Sequence, residues 1–365
     1  MYDVLEHYFL FSYRLGLCSL LAMSSISCIP WQKQDELIQI TPMHPVQRDS
    51  IANLRDIIRP LCKKGNDGIA VRDTIEGEPE GHDAMMYAGL LCLSGEEDQC
   101  NRVTESQTFE GRMWRSPNRA RTRDFGGDFS FSRDMGLGVL AYLVKRRDGN
   151  LATHWRNYIW STERKFPLQI KAGNLGLQTN YWLCTEYPTL ENPDERCNMT
   201  PEMMTNFNAV WKYLFGSDDP FLSRNSRGET DYWDEAIIFL QNTPPSFNLH
   251  LQAITLLLWK EIDTYKYRDH GLLYRTIKDR QPENPFYQYL GGNHNLAAQI
   301  VINQLLAVLS RGVHQIPGTE FVTNHYRYEW SFQRDTKTHA WTNTMFWEYL
   351  FLINMLIRDY DKNYL

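Results

Sequence analysis

Residues 81–93 read GHDAMMYAGLLCL: a polar opening of Gly, His and Asp, then a run that is apolar on every side of a helix. A surface helix keeps one polar face at a period of 3.6 residues, so a helix without one is buried all round. The run is also far shorter than the roughly 20 residues a bilayer requires. The same switch from polar turn to apolar helix recurs in FSRDMGLGVLAYLV (131–144), FNLHLQAITLLLW (247–259), GNHNLAAQIVINQLLAVL (292–309) and HAWTNTMFWEYLFLINML (339–356).

The polar openings at His82, Asp134, His250, His294 and His339 lie 52, 116, 44 and 45 residues apart. The long interval has room for one more unit around MMTNFNAVWKYLF (203–215), which gives about six. Each interval holds a buried helix and an amphipathic return helix, of which Trp155 to Glu163 is an example. Strand-like alternation is scarce. A closed ring of helical pairs buries its inner helices on both sides, so the expected fold is all-α, an (α/α)6-type toroid. An open solenoid is the alternative; it needs polar capping repeats, whereas the C-terminal segment stays apolar until Asp359. If all inner helices point the same way, their polar starts, unpaired N–H groups and positive dipole ends meet at one mouth.

The chain has 365 residues, 42% of them hydrophobic, which is ample for a core. Its 38 Lys and Arg stand against 44 Asp and Glu with no basic block, so nothing draws it to a nucleic-acid backbone. Aromatic residues reach 13%, many beside Asn, Asp, Arg or His, as on surfaces where sugar rings stack. After Arg14, residues 15–27 read LGLCSLLAMSSIS, an apolar stretch ending in small residues that fits an export signal or a lipoprotein signal. The expected division is therefore a signal over 1–27 and one toroid domain over 28–365, with Cys28 a candidate lipid anchor and the protein periplasmic, outer-membrane or secreted. A buried N-terminal helix is the competing reading, favoured by Asp3 and Glu6 ahead of Arg14.

Of the seven cysteines, Cys92 with Cys100 and Cys184 with Cys197 bracket short polar stretches that suit local disulfides in an oxidising compartment. With Cys18 and Cys28 set aside in the expected signal segment, five reduced thiols are the alternative. CxxC and HExxH are both absent, so neither a metal nor another cofactor is expected.

Glycoside hydrolysis needs two carboxyl groups, one protonated and one ionised. SFSRDMGLG (130–138) places Arg133 and Asp134 at the start of a buried helix, and TDYWDEA (230–236) follows about a hundred residues on. The two stretches resemble the Arg-Asp and Asp-aromatic-Trp-acid motifs of six-hairpin glycosidases of the glucoamylase-like group. That resemblance implies that Arg133 and Asp134 grip a terminal sugar and that Asp234 is the general acid, although the group carries Glu there. Asp83 and Asp134 are candidates for the base, because a helix N-terminus stabilises the ionised carboxylate; each equally suits an ordinary cap. His82, His250 and His339 can hold sugar hydroxyls, and Asn180 with Trp182, and Trp341, add an amide and two stacking rings.

GGNHNLAAQ (291–299), with His294 and Asn295, resembles the Asn-His stretch of alginate-lyase-like toroid enzymes. That resemblance implies β-elimination on a uronate, with His294 or a tyrosine such as Tyr326 or Tyr328 moving the proton. The expected function is thus an exported glycoside hydrolase acting on a poly- or oligosaccharide. A polysaccharide lyase and a non-catalytic glycan-binding toroid are the two alternatives.

Overall fold

Several helix starts are written in two residues. His44–Pro45, Ser116–Pro117, Thr200–Pro201, Asp219–Pro220 and Asn284–Pro285 each pair a side-chain acceptor for an unpaired helix N–H with a proline whose φ already suits the first turn. The computed structural model describes residues 37–62, 64–71, 84–123, 131–167, 177–184, 197–243, 247–263, 270–311 and 345–364. Among these the chain is helical almost throughout. In order the helices are α1 (Pro45–Ile58), α2 (Ala84–Ser94), α3 (Glu97–Glu105), α4 (Pro117–Thr122), α5 (Arg133–Arg146), α6 (Gly149–Ser161) and α7 (Pro201–Phe215). They continue as α8 (Pro220–Asn225), α9 (Glu229–Asn242), α10 (Phe247–Ile262), α11 (Gly271–Arg280), α12 (Pro285–Leu290), α13 (His294–Arg311) and α14 (Met345–Tyr364). No helix among the described residues is long and apolar enough to cross a membrane.

The apolar runs behind α2, α5 and α10 became largely buried helices. Every residue of α2 is buried, and so is α5 from Asp134 to Val144. These two helices pack most closely of all: a Cβ on Gly89 would overlap the Gly138 carbonyl, and one on Gly138 would overlap the backbone at Met85 and Met86. Glycine at both positions lets the two backbones touch. They run in the same direction, since Arg146 at the end of α5 pairs with Glu97, just past the end of α2. From there α5 packs on α7 and α10, α10 on α12, α12 on α13, and α13 on α14, which returns to α2. Helices α1, α3, α6, α9 and α11 lie against this series.

The all-α class expected from the sequence holds with one small ribbon added, and two finer expectations need correction. A two-stranded antiparallel ribbon is present, β1 (Arg164–Pro167) with β2 (Leu177–Asn180), Arg164 opposite Asn180; four-residue strands are too short to show alternation. The return helix α6 begins at Gly149 and not at Trp155, because Asp148 accepts the Leu151 N–H and caps it. The run at 292–309 is not buried all round either: Leu296 and Leu306 are 40% and 53% exposed, and α13 is a two-faced helix.

That last point changes the directions. His250 and Phe351 both border Phe286, with ring centroids 5.6 and 5.8 Å away, while Lys260 meets Asp359 at 2.9 Å, so α10 and α14 run the same way. Helix α13 runs against them: His294 at its start stacks on Tyr289 near Lys260 and Asp359, and Gln304 further along bonds Tyr349 near the start of α14. The short, fully buried α12 carries the parallel direction instead, and the turn at Gly291–Asn293 reverses it.

Candidate functional site

Two polar assemblies stand out, one buried and one open. The buried one joins α10, α12, α13 and α14. Lys260 Nζ donates to the Tyr289 hydroxyl at 2.6 Å and to Asp359 Oδ2 at 2.9 Å, and the Tyr289 hydroxyl donates to the same carboxylate oxygen at 2.7 Å. Arg358 pairs with Asp359 and with Glu261 at 2.8 and 2.7 Å. Burial works against charge on Asp359, but Lys260 and Arg358 outweigh it and hold the carboxyl far below the usual carboxylate range. The Tyr289 phenol is pushed well up by burial and by the neighbouring Asp359. His294 lies flat on the Tyr289 ring, centroids 4.9 Å apart, and its Nε2 is buried without a hydrogen-bond partner. Burial, reinforced by Lys260, lowers its pKa to about 4, so the ring is neutral at physiological pH. With Tyr289 fully covered and Lys260 8% exposed, this assembly has the character of a structural tie.

The open assembly is a pocket of about 470 Å³ between α7, α8, the start of α9 and the end of α10. Its walls carry two carboxylates, Asp218 and Asp263, two cations, Lys212 and Arg227, and two rings, Tyr213 and Trp259. The pocket's frame is hydrogen-bonded from below. Asn208 donates to Asp218 at 2.9 Å and accepts from the Asp219 N–H at 3.0 Å; Thr205 Oγ1 accepts the Arg227 N–H at 3.0 Å. Trp259 donates its indole N–H to Asn206 at 2.9 Å, which fixes the ring. Arg227 is held from outside by Glu202 and Glu235. A site of this size, with oriented polar groups around aromatic carbon, suits a small polar ligand with apolar ring faces.

None of the residues singled out from sequence lines this pocket. Asp134 is buried at 4% exposure at the start of α5, accepting a hydrogen bond from the Ser132 hydroxyl, and Arg133 beside it is exposed. Asp234 is exposed on α9, one residue before the Glu235 that pairs with Arg227. His250 is fully buried near the start of α10. Lys260 lies ten residues further along that helix, about 15 Å at 1.5 Å per residue, and His294 sits beside Lys260. His250 and His294 therefore do not share an opening, because α13 runs against α10. Trp182, expected as a stacking surface, is a core residue at 2% exposure. Asn295 is exposed at the start of α13, its N–H donating to the Thr41 carbonyl at 3.3 Å. Asn180 falls in β2. His82, Asp83, Tyr326, Tyr328, His339, Trp341 and Cys28 lie outside the described residues.

The disulfides Cys92–Cys100 and Cys184–Cys197 are both formed, with Cα atoms 4.7 and 5.6 Å apart, as the short polar brackets suggested. Cys62 carries a free thiol that burial pushes up to about 12. The pocket escaped sequence reading for a clear reason. From sequence, GSDDP (216–220) reads as a solvated turn between helices, yet Asp219 is 5% exposed: it caps α8 and takes a 3.1 Å ion pair from Arg156. The buried role of the second aspartate has no local signal beyond the Asp-Pro pair.

Compared with models of known protein families, with curated proteins and with solved structures, the chain matches none.

Proposed function

We propose that the chain is an exported carbohydrate-active protein, and that it acts as a glycoside hydrolase on a poly- or oligosaccharide bound in the pocket between α7 and α10. One observation carries this reading: a single open pocket combines two carboxylates with indole and phenol rings and with hydrogen-bonding side chains. Carboxylates are what acid and base catalysis at a glycosidic bond require, and ring carbon beside polar groups is what a sugar's two kinds of surface require. Asp218 and Asp263 become the candidate carboxylates on this reading, alongside Asp134 and Asp234 from the motif resemblance. The packing series that leaves α2 and returns to it through α14 supports an α/α toroid as the frame. Export is supported by the two disulfides, which belong in oxidising compartments.

The test is digestion of a panel of neutral glycans and uronate polymers with the purified protein. Release of reducing ends without new ultraviolet absorbance, lost in Asp218→Asn or Asp263→Asn, is the expected result. Products that carry a conjugated double bond would make the enzyme a lyase instead. Saturable binding with no turnover would leave a glycan-binding protein. Turnover lost in Asp134→Asn but not in the pocket variants would move the chemistry to the start of α5.

A further inference from the structure

The two carboxylates on the pocket wall differ in what they touch. Asp218 meets two side chains of α7, Asn208 and Lys212, and all three line the pocket. Asn208 Nδ2 donates to Asp218 Oδ1 at 2.9 Å, while Asn208 Oδ1 accepts the Asp219 N–H at 3.0 Å. A backbone N–H can only donate, so it dictates which way the Asn208 amide faces. The end of the amide that meets Asp218 is therefore a donor, and Asp218 Oδ1 is the acceptor. Asp218 Oδ2 faces the Lys212 ammonium at 3.8 Å, too far for a hydrogen bond but close enough for Coulomb attraction. Neither oxygen is placed to hold out a proton to a sugar. Asp263 is built differently: it lies four residues after Trp259 on the pocket side of α10, one turn from that ring.

We infer that Asp218 is the ionised member of the catalytic pair, that Asn208 is its positioning residue, and that Asp263 is the proton donor. The inference rests on the hydrolase reading of the pocket. In hydrolysis, Asp218 Oδ2 takes a proton from water as the water oxygen bonds the anomeric carbon. The glycosidic C–O bond breaks, and the leaving oxygen takes the Asp263 proton. One proton is gained and one is given, so exchange with solvent resets both carboxyl groups.

Azide separates the two roles, using the purified full chain and a nitrophenyl glycoside of the sugar that the parent releases. Asp218→Ala should lose roughly a hundredfold or more in turnover. Sodium azide should restore part of it, because azide bonds the anomeric carbon without a base and yields a glycosyl azide as nitrophenolate leaves. Asp263→Ala should keep turnover of the nitrophenyl glycoside, whose leaving group needs no proton, and lose turnover of the glycan. Azide rescue of Asp263→Ala in place of Asp218→Ala overturns the assignment and leaves the hydrolase reading intact. A parent that cleaves no glycan overturns both. Asn208→Asp keeps an acceptor for the Asp219 N–H but sets a second carboxylate against Asp218, so the low-pH limb of its rate profile should move up by about one pH unit. A uniform fall in rate with no such shift overturns the positioning role of Asn208.

Discussion

Lys260 Nζ lies 2.6 Å from the Tyr289 hydroxyl and 3.8 Å from the centre of the same ring, so one ammonium is both hydrogen-bonded to a phenol and seated near its π face. The Asp359 carboxylate closes the triangle. A buried ion pair with such partners contributes little net stability while intact, but removing one member strands the other. Asp359→Leu should therefore destabilise the fold by about 3–5 kcal/mol, and Lys260→Met with Asp359→Leu together by clearly less than either change alone suggests. Denaturant titration of the single and double variants measures this; a double variant as costly as the sum of the singles would contradict it.

The histidine stacked on Tyr289 gives a pH dependence. Its folded pKa, about 4, is below the unfolded value of 6.5, so the unfolded chain binds the proton first. The stability tied to the neutral ring is whole above pH 6.5 and is lost as pH falls toward 4, on the order of 3 kcal/mol in total. The fully buried His250, whose pKa is also driven down by desolvation, acts in the same direction. Melting temperature followed from pH 7.5 to 4.5 should fall, and His294→Leu should flatten part of that slope. An unchanged slope in both His294→Leu and His250→Leu would refute the assignment.

Most of the helices, and little of the site, were legible in the sequence. Residues 84–94, 133–146 and 247–262 announced themselves because a helix without a polar face has one stable place to go, and the core they form is where the glycines at 89 and 138 sit. Helix α12 was invisible: six residues make less than two turns, too few to show a period, and PFYQYL carries Gln288 in its buried run. Missing it assigned the inward direction to α13 and placed His294 with His250. Asp218 and Asp219 look alike in sequence; their difference, one on a pocket wall and one under an arginine, depends on a helix 63 residues away.

The contact between α2 and α5 leaves no room for a side chain at its crossing. Gly138→Ala should cost about 3 kcal/mol or more, since the methyl meets backbone at Met85 and Met86 and not a side chain that can turn aside. Gly216→Ala, by contrast, meets no neighbouring atom and costs only what its positive φ demands, about 1 kcal/mol. Thermal melts of the two variants should separate them by several degrees; equal melts would contradict the close approach.

The two disulfides close loops of sequence separation 8 and 13. Cutting either should destabilise by about 2–4 kcal/mol, the longer loop by slightly more. Paired Cys→Ser variants compared in denaturant test this, and a pair whose loss costs nothing would show that its bridge is not formed in solution.

The central claim is that a glycan occupies the pocket between α7 and α10. Ala209 lines that pocket from α7 and is half-buried, so Ala209→Trp fills the space without removing a charge. Calorimetric titration of the parent and Ala209→Trp with a series of oligosaccharides is the most direct measurement. The account predicts saturable binding by the parent and none by the filled variant, with both proteins melting cooperatively; equal binding by the two proteins would contradict it.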